Sequence, residues 1–217
     1  MKIFKTLNFT PTNVNLYYEA FTHTSYSNEN PSLNSYERLE FLGDAILEFI
    51  ISEYLYKEKH LEEGYMTKMR ARYVCEEALA TYAKELKFEQ DIHLGEGEIE
   101  KGPNDTILAD VFEAFIAATY LDQGLDFTKQ IVLKTVTKYI EKNVDFLHDY
   151  KSQLQELVQT TKKSVKYEII NETGPAHDKK FTCQVIVDGI VLGKGTGSSK
   201  KMAEQMAAKD TLDKQAK

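Results

Sequence analysis

The chain has 217 residues, of which 42% are hydrophobic and 28% are charged, and its formal net charge is −7. This length suits about two domains of ordinary size. The two cysteines exclude a disulfide framework or a zinc cluster, and without a long apolar run we expect no signal peptide, no membrane span and a cytoplasmic location.

Charge is distributed unevenly along the chain. Residues 1–148 hold 15 basic and 25 acidic side chains, a net charge of −10, whereas residues 149–217 hold 12 lysines and 9 acids, a net charge of +3. A basic C-terminal part favours a polyanionic partner. A charge of +3 is a weak signal by itself, and chance variation is the alternative.

Helical periodicity dominates the first two thirds of the chain. The pattern predicts helices near residues 12–25, 34–60, 65–88, 106–122 and 126–147. Glycine, proline and asparagine separate these segments. The segment 94–105 contains three glycines and a proline, has no period and is predicted to be a loop.

The pattern changes to short elements after about residue 148. We predict a helix at 149–159, strands at 165–174, 181–189 and 190–197, and a helix at 199–215. Asp188-Gly189 is a hairpin turn signal. The sequence therefore predicts an all-α domain at 1–147, followed by a small α+β domain at 148–217 with the order α-β-β-β-α.

The segment ERLEFLGDAILE (37–48) places four carboxylates in an apolar run. At about 100° per residue, Glu37, Glu40, Asp44 and Glu48 fall within about 80° of one another on a helix. Such a stripe is often a solvated face, but solvated faces usually mix lysine with glutamate, because like charges one turn apart repel. Two interpretations stay open: a solvated face, or acids that meet a positive charge.

The segment TILADVFEAFIAATYLD (106–122) carries a second acid pair, Asp110 and Glu113, in an apolar context. Either acid alone would be an ordinary surface residue. If the two helices pack together, these acids converge with Glu40 and Asp44, and a divalent cation would relieve a repulsion on the order of several kcal/mol. Carboxylate oxygens suit Mg²⁺, Mn²⁺ or Ca²⁺ better than zinc.

Four segments of the first part resemble ribonuclease III, the double-stranded-RNA endonuclease. They are HTSY (23–26), ERLEFLGD (37–44), EGYMTKMRA (63–71) and ILADVFEAFIAATYLD (107–122). The segments that resemble a double-stranded-RNA-binding domain are LQE (154–156), GPAHDKKF (174–181) and GTGSSKKMAEQMAA (195–208). The resemblance covers nearly the whole chain and implies the ribonuclease III endonuclease fold followed by a double-stranded-RNA-binding fold.

The resemblance also implies site residues. It assigns metal binding to Glu40, Asp110 and Glu113 and catalysis to Asp44 and Glu113. The cofactor implied is Mg²⁺, with Mn²⁺ as a substitute and no small-molecule cofactor.

Four other positions of the nuclease segment can be compared with the family. Glu37 and Glu63 match acids along the RNA-binding valley, whereas Glu48 matches no catalytic position. Thr24 stands where the family often has arginine.

Contacts with duplex RNA are expected mainly in the second domain, where one helix and one loop would face the minor grooves. The start of the last helix would bind phosphate through its amides and lysines, although a Lys-Lys pair alone is by default a solvated helix start. The residues expected to contact RNA are Ser152, Gln155 and Glu156 on the first helix, His177 in the loop 174–178, and Ser199, Lys200 and Lys201.

A homodimer with one catalytic centre per subunit is a further implication of the resemblance. Phe41 and Leu42 fit either the dimer interface or the core of the monomer.

The activity implied is hydrolysis of phosphodiester bonds in duplex RNA, leaving 5′-phosphate and 3′-hydroxyl ends with short 3′ overhangs. Precursors of ribosomal RNA, and some messenger and transfer RNA transcripts, are the substrates that the family suggests. One alternative is a duplex-RNA-binding protein that no longer cuts, although all four acids are present. Another is a helical, metal-dependent phosphohydrolase of small molecules, which does not explain the basic domain.

Overall fold

The computed structural model describes residues 1–160, 163–175 and 179–215, and the chain forms two compact units, Met1–Leu147 and His148–Lys217. Each unit has its own buried apolar core. None of the described helices is long and apolar enough to cross a membrane.

Helices build the first unit. In chain order they are α1 (Ile3–Leu7), α2 (Val14–Ala20), α3 (Thr24–Glu29), α4 (Glu37–Glu58), α5 (Glu63–Tyr73), α6 (Glu76–Glu85), α7 (Glu96–Ile99), α8 (Asp105–Gln123) and α9 (Leu125–Glu141). A turn of 3₁₀ helix at Phe88–Gln90 follows α6. The helical class predicted for this part is confirmed, and the helices predicted at 34–60 and 106–122 correspond to α4 and α8.

Helix α8 lies at the centre of the first unit, and α2, α4, α6 and α9 pack around it. The Asn104 side chain caps its start by accepting a 2.9 Å hydrogen bond from the amide three residues later. Gly124, at a φ of 81°, follows its last residue. Nearly every residue between 107 and 119 is buried, as expected for a helix that is apolar on most sides. The two acids in this stretch, Asp110 and Glu113, are only half-buried.

The predicted continuous helix at 12–25 is wrong, because the structure has two helices, α2 and α3, joined by a short connection. In that connection, the carbonyl of Phe21 accepts a 2.8 Å bond from the His93 amide, and the His23 amide donates to the His93 carbonyl at 3.1 Å. Nδ1 of His23 also accepts a bond from the Ser25 amide, which caps α3. A contact with a distant segment therefore interrupts the helix.

The predicted helix at 65–88 is also two helices, α5 and α6. The break lies at Cys75, whose backbone is extended, with φ −76° and ψ 158°. The buried Tyr82 hydroxyl donates a 3.2 Å bond to the carbonyl of Tyr73, the last residue of α5. This bond satisfies an acceptor that the helix end leaves without an intrahelical partner.

Two smaller differences concern loops. The helix predicted at 126–147 ends at Glu141, and Asn143 turns the chain with a φ of 50°. The segment 94–105, predicted to be a loop, contains the single-turn helix α7. The first amide of α7 donates a 3.0 Å bond to the Glu29 carboxylate, a favourable position for a negative charge.

The second unit contains α10 (Tyr150–Thr160), β1 (Val165–Thr173), β2 (Lys180–Val187), β3 (Ile190–Gly197) and α11 (Lys200–Gln215). The strands form an antiparallel sheet in the order β1-β2-β3. Helix α11 packs on β2 and β3, and α10 packs on α11. Asp188 and Gly189, at φ 48° and 82°, form the tight turn between β2 and β3. The predicted order α-β-β-β-α is confirmed.

Helix α11 lies directly on the backbone of β3. The strand residues beneath it are three alternate glycines, Gly193, Gly195 and Gly197. A Cβ built on Gly193 would lie 2.2 Å from an atom of Thr211. A Cβ on Gly195 would lie 2.1 Å from an atom of Ala207, and one on Gly197 would lie 2.6 Å from an atom of Ala203. These distances are far shorter than any non-bonded carbon contact, so the close packing requires glycine.

Candidate active site

Helices α4 and α8 approach each other closely where Gly43 faces Glu113. A Cβ built on Gly43 would lie 1.9 Å from the carbonyl oxygen of Glu113, so a side chain is excluded at this position. Glu40 and Asp44 lie beside Gly43 on α4, and Asp110 lies about one turn before Glu113 on α8. The crossing therefore brings acids of both helices together.

The side chain of Glu113 shows how concentrated the negative charge is at this crossing. Burial raises its pKa, and the charges of Asp44, Glu40, Asp110 and Glu48 raise it further, to about 8. A pKa this high means that the electrostatic environment of Glu113 disfavours negative charge. The same environment would stabilise a cation.

Glu40 belongs to the same cluster. Burial raises its pKa, and Asp110, Glu37 and Asp44 add to the effect. Glu37 and Asp44 are exposed, whereas Glu40 and Glu48 are half-buried. The acidic stripe of α4 is therefore solvated on one side and turned toward α8 on the other.

Asp110 is held by a neutral donor. The hydroxyl of Tyr36, the residue before α4, donates a 3.0 Å hydrogen bond to Oδ2 of Asp110. Burial raises the pKa of Asp110, and the Glu76 charge adds to this, whereas the Tyr36 bond and the nearby His23 oppose it. Burial and the neighbouring acids raise the pKa of Tyr36, so its hydroxyl keeps its proton and remains a donor.

The four predicted acids are neighbours, but they do not form a closed ligand shell. Across residues 1–160, 163–175 and 179–215, no group of three or more His, Cys, Asp or Glu side chains is gathered so that it could hold a metal ion. Like charges repel, so bringing three carboxylates to one point requires a cation to offset the repulsion. The donors are all carboxylate oxygens, which fits a hard divalent cation.

Glu63 lies at the start of α5 and not at the α4–α8 crossing. It is exposed, and its Oε1 accepts a 3.0 Å hydrogen bond from the Thr67 hydroxyl. Together with Ser52, Tyr56 and Arg70 it lines a groove of about 340 Å³ between α4 and α5. The structure therefore separates Glu63 from the four acids of the crossing.

In the second unit, α10 presents the predicted polar residues to solvent. Ser152, Gln155 and Glu156 are exposed, and their spacing of three and four residues places them on one side of the helix. Leu154 and Val158 point into the core of the unit. Ser152, Gln155 and Glu156 therefore share one exposed side of α10.

The start of α11 combines a cap with two lysines. The Ser199 hydroxyl oxygen accepts a 3.2 Å bond from the Met202 amide. Lys200 and Lys201 are exposed, and Nζ of Lys200 lies 3.1 Å from a carboxylate oxygen of Glu172 on β1. One of the two lysines is therefore paired with an acid of its own domain.

Glu172 contacts a second lysine as well. Its other carboxylate oxygen lies 2.6 Å from Nζ of Lys179, and the ammonium groups of Lys179 and Lys200 lie 5.4 and 5.8 Å from the centre of the Phe181 ring. The bonds from Lys179 and Lys200 lower the pKa of Glu172. His177, the remaining predicted RNA contact, lies outside the described residues.

Comparison with known proteins identifies both units. Residues 13–140 match the family described as Ribonuclease-III-like, and residues 150–215 match the double-stranded RNA binding motif. The ribonuclease 3 of Onion yellows phytoplasma (strain OY-M) is 46% identical over 217 residues, which cover 99% of this chain and 91% of that protein. This chain belongs to the ribonuclease III family.

Other members of the ribonuclease III family agree with this assignment. The ribonuclease 3 of Listeria monocytogenes is 47% identical over 210 residues, covering 93% of this chain and 91% of that protein. The solved nuclease domain of the Campylobacter jejuni enzyme superposes with a TM-score of 0.58 at 36% identity, covering 63% of this chain and 95% of that one. The chain is thus a double-stranded-RNA endonuclease with a double-stranded-RNA-binding domain.

Sequence reasoning overlooked two residues of this ribonuclease III chain. Tyr36 precedes Glu40 by four residues, so it lies on the acidic stripe, and this spacing was the available signal. Glu172 pairs with Phe181 across β1 and β2. Nothing in the local sequence indicates that its carboxylate meets Lys200 at the start of α11.

Proposed function

We propose that the acids at the α4–α8 crossing form a Mg²⁺-dependent centre that hydrolyses duplex RNA, with Mn²⁺ as a substitute. The observation that carries this proposal is the close approach of Gly43 and Glu113, which concentrates carboxylates from two helices. Burial, together with these charges, raises the pKa of Glu113 to about 8. A hard dication is the partner that such a group of oxygen donors favours.

Different acids have different roles in this proposal. Glu40, Asp110 and Glu113 are half-buried and hold the ion, whereas Glu48, which is also half-buried, has no ligand role. Asp44 is exposed and positions the attacking water. Because a carboxylate must be ionised to act as a ligand, Glu113 releases its proton when the ion binds.

The chemistry follows from this arrangement. A Mg²⁺ held by Glu40, Asp110 and Glu113 would supply an activated water and would stabilise the charge on the leaving 3′ oxygen. Attack of water on a backbone phosphate then leaves a 5′-phosphate and a 3′-hydroxyl. Glu37 and Glu63 are exposed acids outside the ion site and are assigned to the valley in which the RNA lies.

Residues 1–147 are assigned to nuclease activity and residues 148–217 to RNA binding. Phosphate contacts dominate the affinity of proteins for nucleic acids, and the acidic first part of the chain opposes them. The capped start of α11 offers backbone amides to a phosphate. The residues proposed to contact duplex RNA are Ser152, Gln155, Glu156, His177, Ser199, Lys200 and Lys201.

A homodimer is proposed for the nuclease unit. The side chain of Phe41 on α4 is 81% exposed, which removes it from the monomer core and favours an interface role. Leu42 instead packs against the core of the unit. The solved nuclease domain from Campylobacter jejuni is described as structurally flexible in a region involved in its dimer formation. Two centres in such a dimer would cut both strands and leave short 3′ overhangs.

The proposed substrates are precursors of ribosomal RNA and some messenger and transfer RNA transcripts in the cytoplasm. They follow from family membership and from the duplex-binding motif at residues 150–215.

One assay tests the proposed activity. Radiolabelled duplex RNA is incubated with the full chain in Mg²⁺ or in EDTA, with single-stranded RNA as the control substrate. We expect cleavage of the duplex in Mg²⁺ alone. Duplex binding without cleavage would instead support a protein that no longer cuts.

The Glu113→Gln variant tests the site itself. It should fold and bind duplex RNA as the wild type does but should not cleave it. The matched control is Glu48→Gln, which removes an acid of the α4 stripe whose charge also acts on Glu113 but which has no assigned ligand role. This variant should cleave within a few-fold of wild type. Normal cleavage by Glu113→Gln would refute the assignment.

A further inference from the structure

Tyr36 is held in place by contacts of both its backbone and its ring. Its amide donates a 2.9 Å bond to the Thr22 carbonyl, and its carbonyl accepts a 2.9 Å bond from the Glu40 amide in the first turn of α4. The ring is 4% exposed and lies within the apolar core. Its centre lies 5.8 Å from that of the His23 ring. The hydroxyl therefore has little freedom to leave the position it occupies.

The Tyr36 hydroxyl lies next to the carboxylate of Asp110. The Tyr36 hydroxyl donates to Oδ2 at 3.0 Å, and it is the only hydrogen-bond donor to this carboxylate among residues 1–160, 163–175 and 179–215. Oδ2 therefore already accepts one bond, whereas Oδ1 accepts none from the described residues. A short aspartate side chain has few rotamers, and a hydrogen bond to one oxygen selects among them.

We propose that Tyr36 is a positioning residue for Asp110: its hydroxyl fixes Oδ2 so that Oδ1 can accept the cation. This inference rests on the proposed role of Asp110 as a metal ligand. Partners that orient a metal ligand typically contribute 10–100-fold to metal affinity or activity. Tyr36 itself does not contact the cation in this arrangement.

The chain provides a matched control for this contact. The Tyr17 hydroxyl donates to Oδ2 of Asp122 at 3.0 Å, also on α8, and the Tyr17 ring is completely buried. Asp122 lies 12 residues after Asp110 on α8, about 18 Å along the helix axis. Both pairs join a buried tyrosine to an aspartate of α8, but only one lies at the acid cluster.

The experiment compares Tyr36→Phe with Tyr17→Phe in the full chain. Mn²⁺ binding to the RNA-free protein is measured by electron paramagnetic resonance of the free ion. We expect Tyr36→Phe to weaken Mn²⁺ binding about 10–100-fold and Tyr17→Phe to leave it unchanged. The Mg²⁺ concentration for half-maximal cleavage should rise in Tyr36→Phe, while duplex binding in EDTA stays at the wild-type level.

Asp110→Asn separates the failure of this inference from failure of the proposed site. If Asp110→Asn loses Mn²⁺ affinity but Tyr36→Phe does not, the positioning role is wrong and the ligand assignment stands. If Asp110→Asn also binds Mn²⁺ normally, both are wrong. Equal weakening by Tyr36→Phe and Tyr17→Phe would indicate a general loss of stability and would overturn the inference.

Discussion

Gly43 on α4 lies against the backbone of Glu113 on α8, so closely that a Cβ at residue 43 would stand 1.9 Å from the Glu113 carbonyl oxygen. The acids of both helices lie beside this contact. The geometry of the proposed ion site therefore depends on a residue without a side chain.

Gly43→Ala should separate the two helices at this point. Overpacking a core costs up to about 3 kcal/mol, and we expect the free energy of unfolding to fall by about that much. Cleavage of duplex RNA should fall as well, because the acids of α4 and α8 move apart. Urea unfolding and the duplex assay measure the two effects.

The control for this substitution is Gly64→Ala near the start of α5, where a Cβ would meet nothing within 4 Å. Alanine is favoured over glycine inside a helix by about 0.5–1 kcal/mol, so this variant should be slightly more stable than wild type. Equal stability of the two variants would contradict the proposed role of the Gly43 contact.

The raised pKa of Glu113 predicts how stability depends on pH in EDTA. The folded state holds the proton up to about pH 8, whereas the unfolded chain releases it near the ordinary value of 4.5. The contribution of this group is therefore fully present below about pH 4.5 and is lost as the pH rises toward 8.

Unfolding free energies measured from pH 5 to 8 test this sign. Over this range the wild type should lose more stability than Glu113→Gln, which cannot ionise at residue 113. Parallel profiles would show that the carboxyl group of Glu113 titrates normally. The charges that face it are those of Asp44, Glu40, Asp110 and Glu48.

The exposed Phe41 ring predicts the oligomeric state. Phe41→Asp would place an unpaired carboxylate in an apolar interface, which is unfavourable, so light scattering should show a shift from two chains toward one. Ile190→Asp is the control, because Ile190 is 64% exposed in the other unit. Dimers of undiminished stability in Phe41→Asp would exclude this surface.

Lys200 lies 3.1 Å from the Glu172 carboxylate, so in the proposed contact with RNA this carboxylate would compete with a phosphate for Lys200. Glu172→Gln should therefore bind duplex RNA more tightly, by about fivefold at 0.1 M salt, with a log–log salt slope steeper by about 0.9. The double variant Lys200→Ala/Lys201→Ala should bind duplex RNA more weakly and should show a shallower salt slope. Fluorescence anisotropy across a salt series measures both quantities.

Glu168→Gln is the matched control for this charge. Glu168 lies on the same strand and accepts a 2.8 Å bond from the Gln184 side chain instead of from a lysine. Its neutralisation should have a smaller effect on RNA binding. Weaker binding by Glu172→Gln would mean that the carboxylate orients Lys200 rather than competing for it.

The sequence predicted helices well where their signals were local. Helix α8 has an asparagine cap and a terminal glycine, and both are visible in the sequence. The breaks at His23 and Cys75 were missed, because buried Phe21 and Tyr73 continue the apolar pattern across them. The first break depends on bonds to His93, a contact that periodicity does not report.

The same contrast between local and long-range signals applies to the acid cluster. Spacing within each helix indicated which acids share a face. Whether the two helices cross could not be predicted, so convergence of the acids was expected only if the helices pack together. The position of Phe41 could not be decided, because cores and interfaces both use phenylalanine. The Tyr36–Asp110 bond joins residues that are 74 positions apart, so only the folded chain reveals it.

The glycines of β3 have a consequence for the first turn of α11. Gly195 and Gly197 allow α11 to lie on the strand, and that helix carries Lys200 and Lys201 at its first turn. A methyl group at Gly195 would lift the helix and displace both ammonium groups, although no charge had changed. If Lys200 and Lys201 bind RNA as proposed, a substitution at a half-buried glycine beneath α11 would weaken that binding without changing any charge.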